Sequence, residues 1–270
     1  MRRPRRYPLR DGLPLRAVVP NAVTATALCF GLTAIRFAIG EQWWQAVTAI
    51  LVAGVLDGMD GRIARALRGE SRFGAELDSL SDSIAFGVAP ALVIYLWSLQ
   101  ALPRIGWLVA LAHAVFCALR LARFNAQIDS QDQPHKSAGF LTGVPAPAAA
   151  GLALFPMFVW LATDIAWLRE PWLVAPWLGF VAFLMVSSLA TFSWGSLRLR
   201  RHIRFEALAV FVLVTAALIS EPWATLSIVC VVYLLTLPLS IIAYRRVRRQ
   251  RATLRTAAKP PIAAADADPA

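Results

Sequence analysis

The sequence predicts an all-α, polytopic membrane protein on three observations. The chain of 270 residues is 58% hydrophobic with a mean hydropathy of +0.59, more apolar than a soluble domain of this length. Its apolar residues form continuous runs long enough for transmembrane helices, where a membrane β-barrel would alternate. Its positive charges gather between those runs with a one-sided bias.

Eight helices follow in order. The basic leader MRRPRRYPLRDGLPLR has no early apolar core, so it is not a typical cleavable signal. Helix one is expected over 17–39, with Pro20 suited to a first turn and Asn21 and Thr24 on one face. After the turn Gly40-Glu41-Gln42, helix two covers 43–67 and helix three 74–100, with a kink expected at Pro90. Helix four spans 107–124 and ends in Arg120-Leu121-Ala122-Arg123-Phe124-Asn125. A polar loop leads to helix five over 144–163, and helix six covers 172–192. Beyond the basic loop SWGSLRLRRHIR, helices seven and eight cover 205–220 and 223–244. The natural division is a leader (1–16), a six-helix catalytic core (17–192), a basic loop with two further helices (193–244), and a basic, disordered cytoplasmic tail (245–270).

With both termini cytoplasmic, all of the 27 Lys and Arg except Arg36, Arg104 and Arg169 lie on or near the cytoplasmic side. This placement explains the net charge of +11 by topology and anionic lipid, and argues against nucleic acid as a partner. Cys29, Cys117 and Cys230 each sit inside an apolar run at spacings that match no metal motif, and read as packing residues. His113, His135 and His202 are isolated and read as loop or packing residues.

The chemistry concentrates in 57–82, DGMDGRIARALRGESRFGAELDSLSD. Asp57, Asp60, Gly61, Ala64 and Arg65 share one helical face, and Gly74, Asp78 and Asp82 share another. If the two helices pack antiparallel, four carboxylates converge beside membrane-length segments, where acids are costly and usually functional. Their repulsion is relieved by divalent cations, and hard oxygen ligands suit Mg²⁺, Mn²⁺ or Ca²⁺ rather than zinc. Small residues at Gly61, Ala64 and Gly74 leave room for a large polar ligand, and Arg65 offers a fork suited to phosphate. Together they point to a pyrophosphate substrate at a membrane surface. An ion-coupled transporter would explain intramembrane acids in general, but not the glycines, alanine and arginine at these positions.

The spacing Asp57-x-x-Asp60-Gly61-x-x-Ala64-Arg65, eight residues, then Gly74-x-x-x-Asp78-x-x-x-Asp82 resembles the signature of the CDP-alcohol phosphatidyltransferase family. The resemblance implies transfer of a phosphatidyl group from a CDP-linked lipid to an alcohol, with CMP leaving. It implies two divalent ions held by Asp57, Asp60, Asp78 and Asp82, with Asp82 as the base toward the acceptor hydroxyl. It also implies that Asn21 and Thr24 lie near the cytidine, and that the chain forms a homodimer.

The runs RLARFN, DSLSDSIAFGVAPA and GVPAPAAA resemble the serine-using branch of that family, over 19–150. One departure is Ser81, where many members carry alanine. The branch implies CDP-diacylglycerol and L-serine as substrates. Arg120, Arg123 and Asn125 are candidates for the acceptor carboxylate or the donor phosphates; choline would call for an aromatic cage instead. Glycerol phosphate, inositol phosphate or choline as acceptor would keep the same signature. The expected location is a bacterial inner membrane with the aspartates at the cytoplasmic surface.

Overall fold

The computed structural model describes residues 15–128, 140–187, 190–192 and 204–257. The basic leader, most of the polar loop with His135, the basic loop with His202 and the end of the tail lie outside the described residues. The order is α1 (Leu15–Ile39), α2 (Trp43–Leu67), α3 (Arg72–Asp82), a π-helical segment (Ser83–Val88), α4 (Ala89–Trp97) and a 3₁₀ turn (Leu99–Ala101). Next come α5 (Pro103–Ile128), β1 (Phe140–Thr142), α6 (Ala146–Ala153), α7 (Phe155–Thr163) and a 3₁₀ turn (Ala166–Arg169). α8 (Pro171–Val186), β2 (Ala190–Phe192), α9 (Arg204–Ser220) and α10 (Pro222–Ala257) complete it.

The protein is a polytopic helical membrane protein, as the sequence predicts. Four helices are long and apolar enough to cross a membrane: Arg16–Ile39, Arg72–Trp97, Pro103–Ala126 and Pro222–Ser240. A fifth span is possible in kind if α6 and α7 count as one bent unit. The other three expected crossings exist as helices but fall short of that standard. α8 and the apolar part of α9 are short, and α2 carries Asp57, Asp60, Arg62 and Arg65 in its second half.

Helix five is broken, not continuous, and bends by 43° between α6 and α7. Pro156 is the cause. It has no N–H to give the carbonyl of Leu152 four residues back. The indole of Trp177 on α8 supplies the missing donor, Nε1 to Leu152 O at 2.7 Å. The third helix also differs from a simple proline kink. Residues 83–88 widen into a π-helix directly before Pro90, which then sits in the first turn of α4.

Helix six ends at Val186, six residues earlier than expected. The chain instead forms a short antiparallel ribbon, with Phe140 opposite Phe192, Leu141 opposite Thr191 and Thr142 opposite Ala190. Aromatic and β-branched residues suit such a pairing. Gly143 makes the turn after β1 with φ +73°, and a side chain there would press on the carbonyl of Met185. α10 runs on to Ala257, although residues from 245 were expected to be disordered. Its Arg, Gln, Ala and Leu residues are good helix formers, and no proline interrupts them before Pro260. Pro20 lies inside α1, not in its first turn, because the helix starts at Leu15.

The core is built from alanines and branched residues of α1, α2, α4 and α6–α8, with Trp97, Phe86 and Phe158 fully enclosed. Close crossings rest on glycine. A side chain at Gly31 of α1 would strike the backbone of Ala85, so α1 packs directly on the π-helical segment. At the end of the bundle opposite the aspartates, Arg169 joins three connections. Its Nε donates to Trp97 O at 2.6 Å, its carbonyl accepts from Ser98 Oγ at 2.7 Å, and its guanidinium lies over Trp43.

Candidate active site

The turn between α2 and α3 sets the site. α2 stops where Arg68 enters the left-handed region (φ 51°), and the amides of Arg68 and Gly69 close back onto carbonyls of its last turn. Gly69 packs so closely on the carbonyl of Arg16 that only glycine fits. α3 then starts at Ser71, whose Oγ accepts from Gly74 N at 3.0 Å, an N-cap worth about 1 kcal/mol. The chain reverses in four residues, and the two acidic faces meet.

Oxygens of Asp57, Asp60 and Asp78 lie within 4.8 Å of one another. Asp82, one turn beyond Asp78, faces Asp57 within hydrogen-bonding reach. Asp57 and Asp82 are thus the pair farther from the turn, and Asp60 and Asp78 the nearer pair. Among the described residues no cation forms an ion pair with these carboxylates. Three converging carboxylates with a fourth adjoining, unneutralised by the protein, fit hard divalent cations of the Mg²⁺ or Mn²⁺ type.

Asp60 is 6% exposed and is held from α1. Thr24 Oγ1 donates to Asp60 Oδ2 at 2.6 Å, and it also lies 3.1 Å from the carbonyl of Pro20. The polar pair on helix one therefore joins the acidic cluster through Thr24. Ser81, 2% exposed, donates to Thr24 O at 3.2 Å and ties α3 to α1. An alanine there would leave that bond unmade.

A cavity of about 630 Å³ opens beside the cluster. Asp60, Gly61, Ala64, Arg65, Gly74 and Asp78 line it, together with Asn21 and Thr24. All six residues expected near a CDP-lipid therefore share one space. Gly61 has nothing within 4 Å of a would-be Cβ and borders open volume. Gly74 acts differently: a Cβ there would lie 2.7 Å from Asn21 Oδ1. Its absence lets α3 pack against Asn21. The Asn21 Nδ2 is enclosed without a hydrogen-bond partner, leaving a donor at the cavity wall.

The arginines of RLARFN separate. Arg120 is half-buried on α5 and within electrostatic reach of Asp82. Asn125 donates from Nδ2 to Ser79 Oγ at 2.8 Å, which braces α5 against α3 between Asp78 and Asp82. Arg123 is exposed, and neither it nor Asn125 lines the cavity. Ser71, Ser79 and Ser81 escaped the sequence reading. Only Ser71 left a signal, a serine directly before a helical face; Ser79 and Ser81 find partners on other helices. His113 is fully buried beside the backbone of Phe86, in keeping with a packing role.

The model of the CDP-alcohol phosphatidyltransferase family matches residues 17–194. The chain belongs to the CDP-alcohol phosphatidyltransferase family. A second family model, CDP-alcohol phosphatidyltransferase 2, matches residues 202–238. Among relatives, a CDP-diacylglycerol–serine O-phosphatidyltransferase of Mycobacterium tuberculosis is 36% identical, over 87% of this chain and 82% of its own length. One of Mycobacterium leprae is 35% identical, over 83% of this chain and 74% of its own. One of Helicobacter pylori is 41% identical, over 50% of this chain and 55% of its own. For a CDP-alcohol phosphatidyltransferase, the carboxylates and the cavity stand at the two places the chemistry needs: the reacting phosphate and the nucleotide.

Proposed function

We propose that this membrane protein transfers the phosphatidyl group of CDP-diacylglycerol to the hydroxyl of L-serine, giving phosphatidylserine and CMP. The reading is carried by four carboxylates meeting at the wall of a cavity large enough for a nucleotide. Serine as acceptor is supported by the names of relatives that match over most of the chain.

Asp57, Asp60, Asp78 and Asp82 would hold two divalent cations, Mg²⁺ or Mn²⁺. When bound, such ions neutralise charge that develops on phosphate oxygens and on the departing CMP. The other steps belong to the chain. Asn21 presents its free amide donor to the cytidine end of the cavity. Gly61 and Ala64 leave the volume the nucleotide fills, and Arg65 pairs with the donor's phosphates. Thr24 fixes one oxygen of Asp60, so that carboxylate does not rotate as substrate enters. Asp82 accepts the proton of the serine hydroxyl as its oxygen attacks phosphorus. Arg120 stands beside Asp82, where it can receive the acceptor's carboxylate. Arg123 and Asn125 sit at the same end of α5, with Asn125 bracing α3.

The active site and both termini face the cytoplasm of a bacterial inner membrane, in keeping with the one-sided Lys and Arg distribution. Residues 17–192 form the catalytic core and the chain works as a homodimer; the mass of the detergent-solubilised protein by light scattering checks the latter.

The decisive experiment is CMP release by purified protein with CDP-diacylglycerol and Mn²⁺ or Mg²⁺. Serine, glycerol 3-phosphate, inositol phosphate and choline are offered separately. Serine-dependent release with phosphatidylserine as product is expected. Release with another acceptor alone would keep the reaction class and overturn serine. No release with any acceptor, in folded protein with metal, would overturn the enzyme reading.

A further inference from the structure

The last helix carries a polar group that the chemistry above leaves unused. Along α10, Cys230, Tyr233, Leu237 and Ser240 recur at helical spacing on one face. Cys230, Leu237 and Ser240 are buried, and the ring of Tyr233 packs against the core. Cys230 Sγ lies 3.6 Å from Gly151 O, which seats this face on α6. One turn further on, the Tyr233 hydroxyl is enclosed and has no hydrogen-bond partner among the described residues. Buried tyrosine hydroxyls normally find one.

The electrostatic neighbour of Tyr233 is Arg120 of α5. The Nε of Arg120 is likewise enclosed without a hydrogen-bond partner. Arg120 also lies within reach of Asp82. Two unmet donors, on helices remote in sequence, thus adjoin each other and the proposed base. An anionic oxygen between them would accept from both, and charge-assisted bonds of this kind are the strong ones. A guanidinium alone attracts any anion, including the donor's phosphates. A neutral phenol adds a directional donor without further charge, which favours a single carboxylate.

We propose that Tyr233 and Arg120 together form the subsite for the α-carboxylate of the acceptor amino acid. This deepens the serine reading and rests on it. In L-serine the carboxylate and the hydroxyl are two carbons apart, so a carboxylate anchored at Arg120 and Tyr233 brings the hydroxyl toward Asp82. Acceptors without a carboxylate gain nothing there. The added C-terminal helix then has a part in choosing the acceptor.

The test uses the full chain in detergent with CDP-diacylglycerol, and CMP release as readout. L-serine and L-serinamide, which keeps the hydroxyl but lacks the carboxylate, are compared for the parent protein and Tyr233→Phe. The expected result is a KM for L-serine raised about tenfold, with kcat and the KM for CDP-diacylglycerol within about twofold. The preference for serine over serinamide should shrink by a similar factor. In the double variant with Arg120→Lys, the loss should be smaller than the product of the single losses, since both residues would meet one carboxylate. An unmoved serine KM, or equal losses for serine and serinamide, would overturn the subsite. A parent protein that takes no serine would defeat the functional reading itself. A serine-dependent parent with an unaffected Tyr233→Phe would defeat only this proposal.

Discussion

The sharpest tests lie with single side chains at the acidic cluster. Asp82→Asn keeps size and removes the basic oxygen. Turnover should fall by a factor on the order of 10²–10⁴ while the helical circular dichroism stays the same. Near-parental CMP release would remove Asp82 from the role of base. Thr24→Val deletes the only bond described to Asp60 from a neighbouring helix. Supporting bonds to metal-binding carboxylates commonly govern affinity by about 10–100-fold. The Mn²⁺ concentration for half-maximal activity should rise by that order, and Thr24→Ser should restore it. Gly61→Leu projects into the cavity without touching protein. It should weaken CDP-diacylglycerol binding with little change in thermal stability; unchanged binding would move the nucleotide elsewhere.

Individual helices are shaped by how their broken hydrogen bonds are repaired. The bend between α6 and α7 rests on Pro156, and the carbonyl it strands is served by Trp177. Trp177→Phe should destabilise the protein by about 1–3 kcal/mol, the cost of a buried acceptor left unmet, read as a lower unfolding temperature in detergent. In a Pro156→Ala background the restored helical N–H can take the same carbonyl, so the cost of Trp177→Phe should shrink. If the two losses simply add, the indole is not what repairs the bend. This pairing also marks the limit of what the sequence conveys. Pro156 announces a break by local covalent geometry, but its partner is 21 positions away, as Trp177 is set by packing. The acidic faces of α2 and α3 were legible because they follow from helical spacing within 26 residues. The ribbon of β1 and β2 was not, since its strands of three residues are far apart in the chain and too short to show alternation. The same holds for Ser79, Ser81 and Tyr233, ordinary residues whose meaning comes from another helix.

On the scale of the whole molecule, the two ends of the bundle have opposite characters. One end is stapled by Arg169 to Trp97, Ser98 and Trp43. The other gathers four carboxylates at an open cavity, which the protein does not neutralise. Chelation should therefore abolish CMP release without unfolding the chain, and Mg²⁺ or Mn²⁺ should restore it. Unfolding on chelation would assign the cations a structural part instead. The π-helical stretch Ser83–Val88 joins these two ends within one span. A π-turn is an α-helix carrying one surplus residue. Removing one residue from 83–88 would leave an unbroken helix, yet turn everything before it by about 100° relative to everything after it. A deletion here would thus be tolerated by the bilayer and ruinous to the chemistry: the span would still cross, with its aspartates aimed at the wrong neighbour.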